Sequence, residues 1–169
     1  MNKYGLISCI LTLVLIFASY IPLGIIFGVG NNPIFGLNSH IKIPIPLFNY
    51  NNNRIFTWGM ITEEGPAHLW VFYNIPTFIF LGILPILACI SVALGSVLKI
   101  ERSKKLIMYN LNALIIVIIY CIIGISIFSE QLFGNQFLLD IILYTAAGFY
   151  ILIADVIFAG IAYIKHSID

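Results

Sequence analysis

The sequence predicts an all-α membrane protein: a four-transmembrane-helix bundle with a small extracellular β-hairpin or sheet in its first loop. Three observations predict it. Hydrophobic residues make up 61% of the chain and charged residues 9%, whereas soluble domains carry about a quarter charged residues. Four apolar runs, residues 5–29, 76–98, 105–128 and 137–164, each meet the roughly twenty residues needed to cross a hydrocarbon layer. Between the first two runs, KIPIPLFNYNNNRIFTWGMI, residues 42–61, flanks an asparagine cluster with alternating and β-branched stretches, a strand-turn-strand pattern. Without an internal repeat, linker or low-complexity tail, residues 1–169 read as a single integral membrane domain.

The first run starts MNKYGLISCILTLVLIFASY and continues through Pro22 to Val29. Its basic start and the small residues Ala18 and Ser19 have the look of a leader, but the apolar stretch is too long for an ordinary h-region, so it reads as a retained span. Gly24 and Gly28 form a GxxxG pair near its outer end, suited to close approach of another helix. In the loop that follows, Ile41, Ile43, Ile45 and Leu47 alternate with Lys42, Pro44, Pro46 and Phe48, and Ile55, Phe56, Thr57 and Trp58 resume after the asparagines. Two antiparallel strands, 41–49 and 54–61, are expected. Pro44 and Pro46 make the first an edge strand, because proline donates no ladder hydrogen bond. EEGP, residues 63–66, is expected to turn the chain back to the membrane. Tyr50, Phe56 and Trp58 are the candidate extracellular interaction surface; the alternative is that they form the element's own core or an aromatic belt.

In the second run, LWVFYNIPTF is an aromatic lead-in, with Asn74 placed to cap and Pro76 in the first helical turn. Pro85 is expected to kink the span. Lys99, Arg102, Lys104 and Lys105 crowd the second loop, Lys3 precedes the first span and Lys165 follows the last, while SEQLFGNQ, residues 129–136, has no basic residue. The positive-inside rule therefore places both termini in the cytoplasm and the first loop outside, as for a multi-pass protein of the cell membrane. The basic KIERSKK also suits anionic headgroups, at about 1 kcal/mol per residue near the surface.

Asp155 is the acidic residue well inside a span, and an intramembrane carboxyl is a functional hypothesis because its burial is costly. Gly148, Leu152, Asp155, Ala159 and Ala162 repeat along one side of the fourth run, a stripe of mostly small residues suited to helix packing. Gly24, Gly28, Gly148 and Ala159 are the candidate packing positions. Measured from the basic flanks, Asp155, Asn112, Ser91 and Thr12 lie about 10–15 Å deep, which permits one polar layer from all four helices. That layer is either an interhelical fastener worth about 1 kcal/mol or the relay of a small proton- or ion-coupled transporter or channel oligomer.

Formal charge is +1, which gives no footprint for nucleic acid. Cys9, Cys89 and Cys121 all fall in apolar runs and read as small hydrophobes rather than a disulfide framework. His40, His68 and His166 lie at run ends or in loops, so bis-histidine haem ligation within the bilayer is not expected. There is no CxxC for quinone-linked thiol oxidation and no base for an intramembrane serine protease. His40, Glu63, Glu64 and His68 share the first loop and are the one metal possibility at the outer surface: Gly65 and Pro66 break the helix that would bring Glu64 and His68 together, so either a turn gathers them or they are solvated polar groups. No catalytic residue, metal or cofactor is assigned, and the chain is not read as an enzyme.

Four spans, cytoplasmic termini, a large strand-bearing first extracellular loop and a small second one together resemble the claudin and peripheral-myelin-protein-like tetraspan superfamily, over essentially the whole chain. That family's signature, a tryptophan followed by Gly-Leu-Trp, is echoed by TWG at residues 57–59 and HLW at residues 68–70. Its two loop cysteines have no counterpart here, so no junction or pore residue is carried over. The resemblance implies a non-enzymatic protein acting through protein-protein interaction, by adhesion or lateral assembly with itself. An accessory subunit of a larger membrane complex fits the same features. The partners expected are the lipid bilayer and other membrane protein subunits or a second copy, with no nucleic acid.

Overall fold

The computed structural model describes residues 2–17, 28–29, 32–33, 45–50, 53–57, 59–62, 65–69, 75–98, 102–127, 129–130 and 139–166. Among them are the helices α1 (Lys3–Phe17), α2 (Ile75–Val97), α3 (Ser103–Ile127) and α4 (Ala147–Ile164). The last three, of 23, 25 and 18 residues, are apolar and long enough to cross a membrane. With 15 residues, α1 covers only about 22 Å at 1.5 Å per residue.

Asn2 sets the start of the bundle. Its Oδ1 accepts the Gly5 N–H at 3.2 Å, the bond of an asparagine N-cap. Its own N–H donates to the Ser96 carbonyl at 3.0 Å, and its Nδ2 donates to the Ala162 carbonyl at 2.7 Å. The beginning of α1 therefore meets the ends of α2 and α4, so α1 runs antiparallel to both. The start of α3 comes close to the end of α2 because Gly95 has no side chain: a Cβ there would lie 2.8 Å from the Ser103 carbonyl oxygen. The helices pack as a ring in which α1 touches α2 and α4, and α3 touches the same two. Lys3, Arg102, Lys104, Lys105 and Lys165 gather at one end of this ring. There Lys104 Nζ lies 5.2 Å from the Tyr163 ring centre and Lys165 Nζ 5.0 Å from that of Tyr4, cation-π distances.

The opposite end carries a sheet. Strands β3 (Phe48–Tyr50), β4 (Asn53–Phe56), β5 (Gly59–Thr62) and β6 (Gly65–Leu69) follow β1 (Gly28–Val29) and β2 (Asn32–Pro33), which form a separate pair. The larger sheet is antiparallel in the order β3-β4-β5-β6. Its registers pair Tyr50 with Asn53, Phe56 with Gly59 and Thr62 with Gly65. The expected strand 54–61 is thus two strands, β4 and β5, paired antiparallel with each other. Gly65 and Pro66, expected in a turn, belong to β6. Pro66 is tolerated because β6 is the last strand and its register slips between Met60 and Thr62, the edge and bulge settings that accept proline.

Two expected helices are shorter than their apolar runs. The first run does not stay helical to residue 29: Gly28 pairs with Pro33 and Val29 with Asn32. Gly28 is therefore a strand residue and not part of a helix-packing face, and Gly24 lies outside the described residues. The fourth helix starts at Ala147 rather than at 137, after a 3-10 turn at Leu139–Tyr144.

The junction between sheet and bundle is made by backbone. The Leu47 N–H donates to the Ile55 carbonyl at 2.7 Å, the Ala146 N–H to the Leu47 carbonyl at 2.9 Å, and the Gly148 N–H to the Pro46 carbonyl at 2.9 Å. Phe48 also bridges Thr145, which covers the outer side of β3 at that point. From the other side, Thr57 Oγ1 donates to the Leu15 carbonyl at 3.1 Å. Leu47, Phe48 and Ile55 then join Leu114, Val117, Phe149 and Leu152 in one continuous core. Burying a large apolar side chain contributes about 1.5–3 kcal/mol, so these side chains add to the hold of the backbone bonds on the sheet.

Both middle helices loosen near this end. Phe78–Ile83 in α2 and Tyr120–Gly124 in α3 are π-helical, with Leu84 N–H reaching the Ile79 carbonyl and Ile125 N–H the Tyr120 carbonyl. In α2 the wider turn immediately precedes Pro85, whose missing N–H removes the α-helical bond to Leu81. The segments face each other: Phe80 stacks on Tyr120 at 4.7 Å between ring centres, and Thr77 Oγ1 and Tyr120 Oη share a hydrogen bond of 2.5 Å. Around the outside, Ile10, Leu87, Ile119 and Ile157, one from each helix, are 50–58% exposed, an apolar girdle unlike the surface of a soluble monomer.

A Cβ at Gly148 would come within 2.8 Å of the Pro46 carbonyl oxygen, whereas one at Gly160 would meet nothing within 4 Å. Gly148→Val is therefore expected to destabilise the protein by about 1–3 kcal/mol. Gly160→Ala is expected to be neutral or to stabilise by up to about 1 kcal/mol. Thermal unfolding of both variants in detergent micelles checks the contrast.

Candidate functional site

Asp155 lies on the inner face of α4 with 0% of its surface exposed. Its carboxyl is held from α1. Ser8 Oγ donates to Asp155 Oδ1 at 2.5 Å, and Thr12 Oγ1 lies 2.6 Å from Oδ2. Thr12 Oγ1 is also 3.1 Å from the Ser8 carbonyl oxygen. Across the bundle, Asn110 Nδ2 on α3 donates to Ser8 Oγ at 3.2 Å. The cluster thus joins α1, α3 and α4 through four side chains that are all 0% exposed. One buried acceptor, Asn110 Oδ1, has no protein partner.

Two of the expected four members of the polar layer are not in it. Asn112 is exposed, and Ser91 Oγ donates to the carbonyl of Ala88 in its own helix at 2.8 Å. Their places are taken by Asn110 and Ser8. Depth along the helix was the guide to Asn112, but a difference of two residues turns a side chain by about 200°. The signal for Asn110 was the apolar spacing: Ile107, Leu114 and Val117 are buried on α3, and Asn110 falls at the i+3 position of that stripe. Ser8 is one helical turn before Thr12, and so on the same face. Ala159, 0% exposed, lies in the interhelical core, while Gly148 serves the contact with Pro46 instead of a helix partner.

Next to Ser8, Cys9 points to α2, where its Sγ is 3.5 Å from Cys89 Sγ. The sequence separates these thiols by 80 residues, so no local motif announces them. Cys9 is half-buried and Cys89 buried, whereas Cys121 is 0% exposed in the core.

The aromatic interaction surface is also altered. Phe56 is 1% exposed, an interior residue of the docked sheet and not a surface for a partner. Tyr50 is half-buried and meets Tyr144 edge-on at 4.8 Å between ring centres. Trp58 lies outside the described residues, as do His40, Glu63 and Glu64. Among the described residues, no group of three or more His, Cys, Asp or Glu side chains is placed to hold a metal ion.

No protein-family model, curated protein or solved structure matches the chain. Among the described residues, the polar chemistry gathered inside the bundle is a buried carboxyl in a hydroxyl cradle, an unmatched amide oxygen and two adjacent thiols. None of these supplies the nucleophile–base pair that covalent catalysis requires.

Ser8 is the link shared by Asp155 and Asn110. Ser8→Ala leaves a buried oxygen and a buried amide nitrogen without a partner and is expected to cost about 1–3 kcal/mol. Asn112→Ala, on the exposed face, is expected to stay within about 0.5 kcal/mol of the parent. Unfolding titrations in mixed micelles distinguish the two positions.

Proposed function

We propose that this chain is a non-enzymatic multi-pass membrane protein that acts through protein-protein interaction, with the sheet outside the cell and the basic end in the cytoplasm. In this reading α1 and the residues after it form a fourth membrane-spanning element. The observation that carries the proposal is the junction of Pro46 and Leu47 with Ala146 and Gly148, which fixes the sheet as a rigid platform on one end of the bundle. A platform whose apolar face is used up internally has its polar face, with Asn49 and Arg54 exposed, left for recognition. The basic residues collected at the opposite end support the orientation, and the apolar girdle supports the bilayer setting.

Within this function, two assemblies fit: a claudin-like adhesion or lateral-assembly protein, and an accessory subunit of a larger membrane complex. The claudin-like version rests on the shared arrangement of a large strand-bearing first loop and a small second one. Native mass spectrometry after gentle extraction, combined with cross-linking, separates them. Homo-oligomers cross-linked through residues 45–69 support adhesion or self-assembly, and stoichiometric foreign subunits support the accessory role. A bare monomer with no cross-linked neighbour would sink the interaction reading.

A second reading, a proton- or ion-coupled transporter or channel oligomer, is favoured by the cluster at Asp155. Thr12 has one hydroxyl proton and two acceptors, the Ser8 carbonyl and Asp155 Oδ2. Each contact has a proton of its own only when the carboxyl also carries one. A carboxyl whose surroundings rearrange with its proton is the minimum for a relay. Under this reading Asp155→Asn abolishes pH-dependent flux in liposomes and leaves assembly intact. Unchanged flux, or no flux in the parent, leaves Asp155 as a fastener between helices.

A further inference from the structure

We propose that Cys9 and Cys89 form a two-electron redox site whose oxidised state is a disulfide joining α1 to α2, and whose oxidant is an uncharged molecule that partitions into lipid, such as a quinone. The inference rests on the membrane setting proposed above for the route of the oxidant, and on geometry alone for the bond.

The two sulfur atoms are 3.5 Å apart, in van der Waals contact and about 1.5 Å from the length of a disulfide. They come from neighbouring helices packed directly against each other, so the pairing is held by the surrounding packing. Cys89 Sγ is also 3.8 Å from the Cys9 carbonyl oxygen, which keeps it over the α1 backbone. Cys9 is half-buried at the seam between the helices, and the adjacent Ile10 is 58% exposed. The pair is therefore reached from the apolar outer surface of the bundle. A charged oxidant such as glutathione disulfide is excluded from such a surface by its desolvation cost, whereas a neutral quinone dissolves in the same medium.

The reaction balances without any further group. Each thiol gives up its proton, the sulfur atoms form one S–S bond, and the two electrons and two protons convert the quinone to a quinol. The bond would close a loop from residue 9 to residue 89, containing both sheets. It would also fix α1 one residue away from Ser8, and so lock the face of α1 that holds Asp155.

The test counts alkylatable thiols by mass spectrometry, with peptide mapping, on the full chain in proteoliposomes. Three probes are used: decylubiquinone, the small permeant dithiol oxidant diamide, and glutathione disulfide. Of the three cysteines, the parent is expected to keep only Cys121 free after either decylubiquinone or diamide, to lose none to glutathione disulfide, and to regain all of them with a phosphine reductant. Cys9→Ser and Cys89→Ser should each keep both remaining thiols. Three free thiols after diamide would overturn the pair itself. Closure by diamide but not by decylubiquinone would overturn the quinone-class oxidant, and closure by glutathione disulfide would overturn the lipid route. That last outcome counts against the membrane setting as well, while the first leaves it untouched.

Discussion

A carboxyl group with no exposed surface must find its hydrogen-bond partners inside the protein, and the bundle is built around that requirement at Asp155. Apolar packing has no direction: a helix that is aliphatic on every side can turn about its axis with little change in the area it buries. Directional bonds remove that freedom. Ser8 and Thr12 present the same face of α1 to Asp155 on α4, and Ser8 also takes the bond from Asn110, which sets the rotation of α3. At the basic end, Asn2 fixes the heights of α1, α2 and α4 relative to one another. Three helices thus have a defined rotation, and α2 is held to α3 by the bond between Thr77 and Tyr120 and by its packing.

Composition and run length were enough to locate the middle of the fold. The second helix runs 75–97 and the third 103–127, close to the expected 76–98 and 105–128. The outer helices were harder to delimit because their apolar runs continue into other structures. Gly28 and Val29 are as hydrophobic as helix residues but pair as a strand, and Leu139–Tyr144 forms a 3-10 turn before α4. Where nearly every residue is apolar, periodicity carries little information about where a helix stops. In the larger sheet the asparagine cluster does mark the reversal between β3 and β4, as expected, whereas nothing in the sequence separates β4 from β5.

The candidate site was legible to the same degree. Asp155 and Thr12 stand out as polar residues at depth, and both are in the cluster. Ser91 and Asn112 share that depth but face elsewhere, since depth gives one coordinate of a helical residue and the face gives the other. The Cys9–Cys89 contact depends on how α1 meets α2 in space, and the spacing of 80 residues leaves no trace of it in the sequence. On the sheet, Phe56 is drawn inward by docking. A hairpin by itself is marginal in water and needs a surface to cover its apolar face, and the bundle supplies that surface through Leu47, Phe48 and Ile55.

The π-helical segments at Phe78–Ile83 and Tyr120–Gly124 have a consequence for helical phase. A π turn holds one residue more than an α turn, and one residue corresponds to about 100° of rotation. The faces before and after each segment are therefore offset, and one helical wheel drawn through the whole of α2 or α3 superimposes sides that do not coincide. Thr77 and Tyr120, which meet at 2.5 Å, lie before and at the start of these offsets. A π turn takes up its extra residue with about the rotation of an α turn, so removal of one residue from either segment would leave a continuous α-helix whose two halves keep their orientation. The sheet end and the Asp155 level of the bundle are thus joined by helices that can lose one residue at these segments without turning either end.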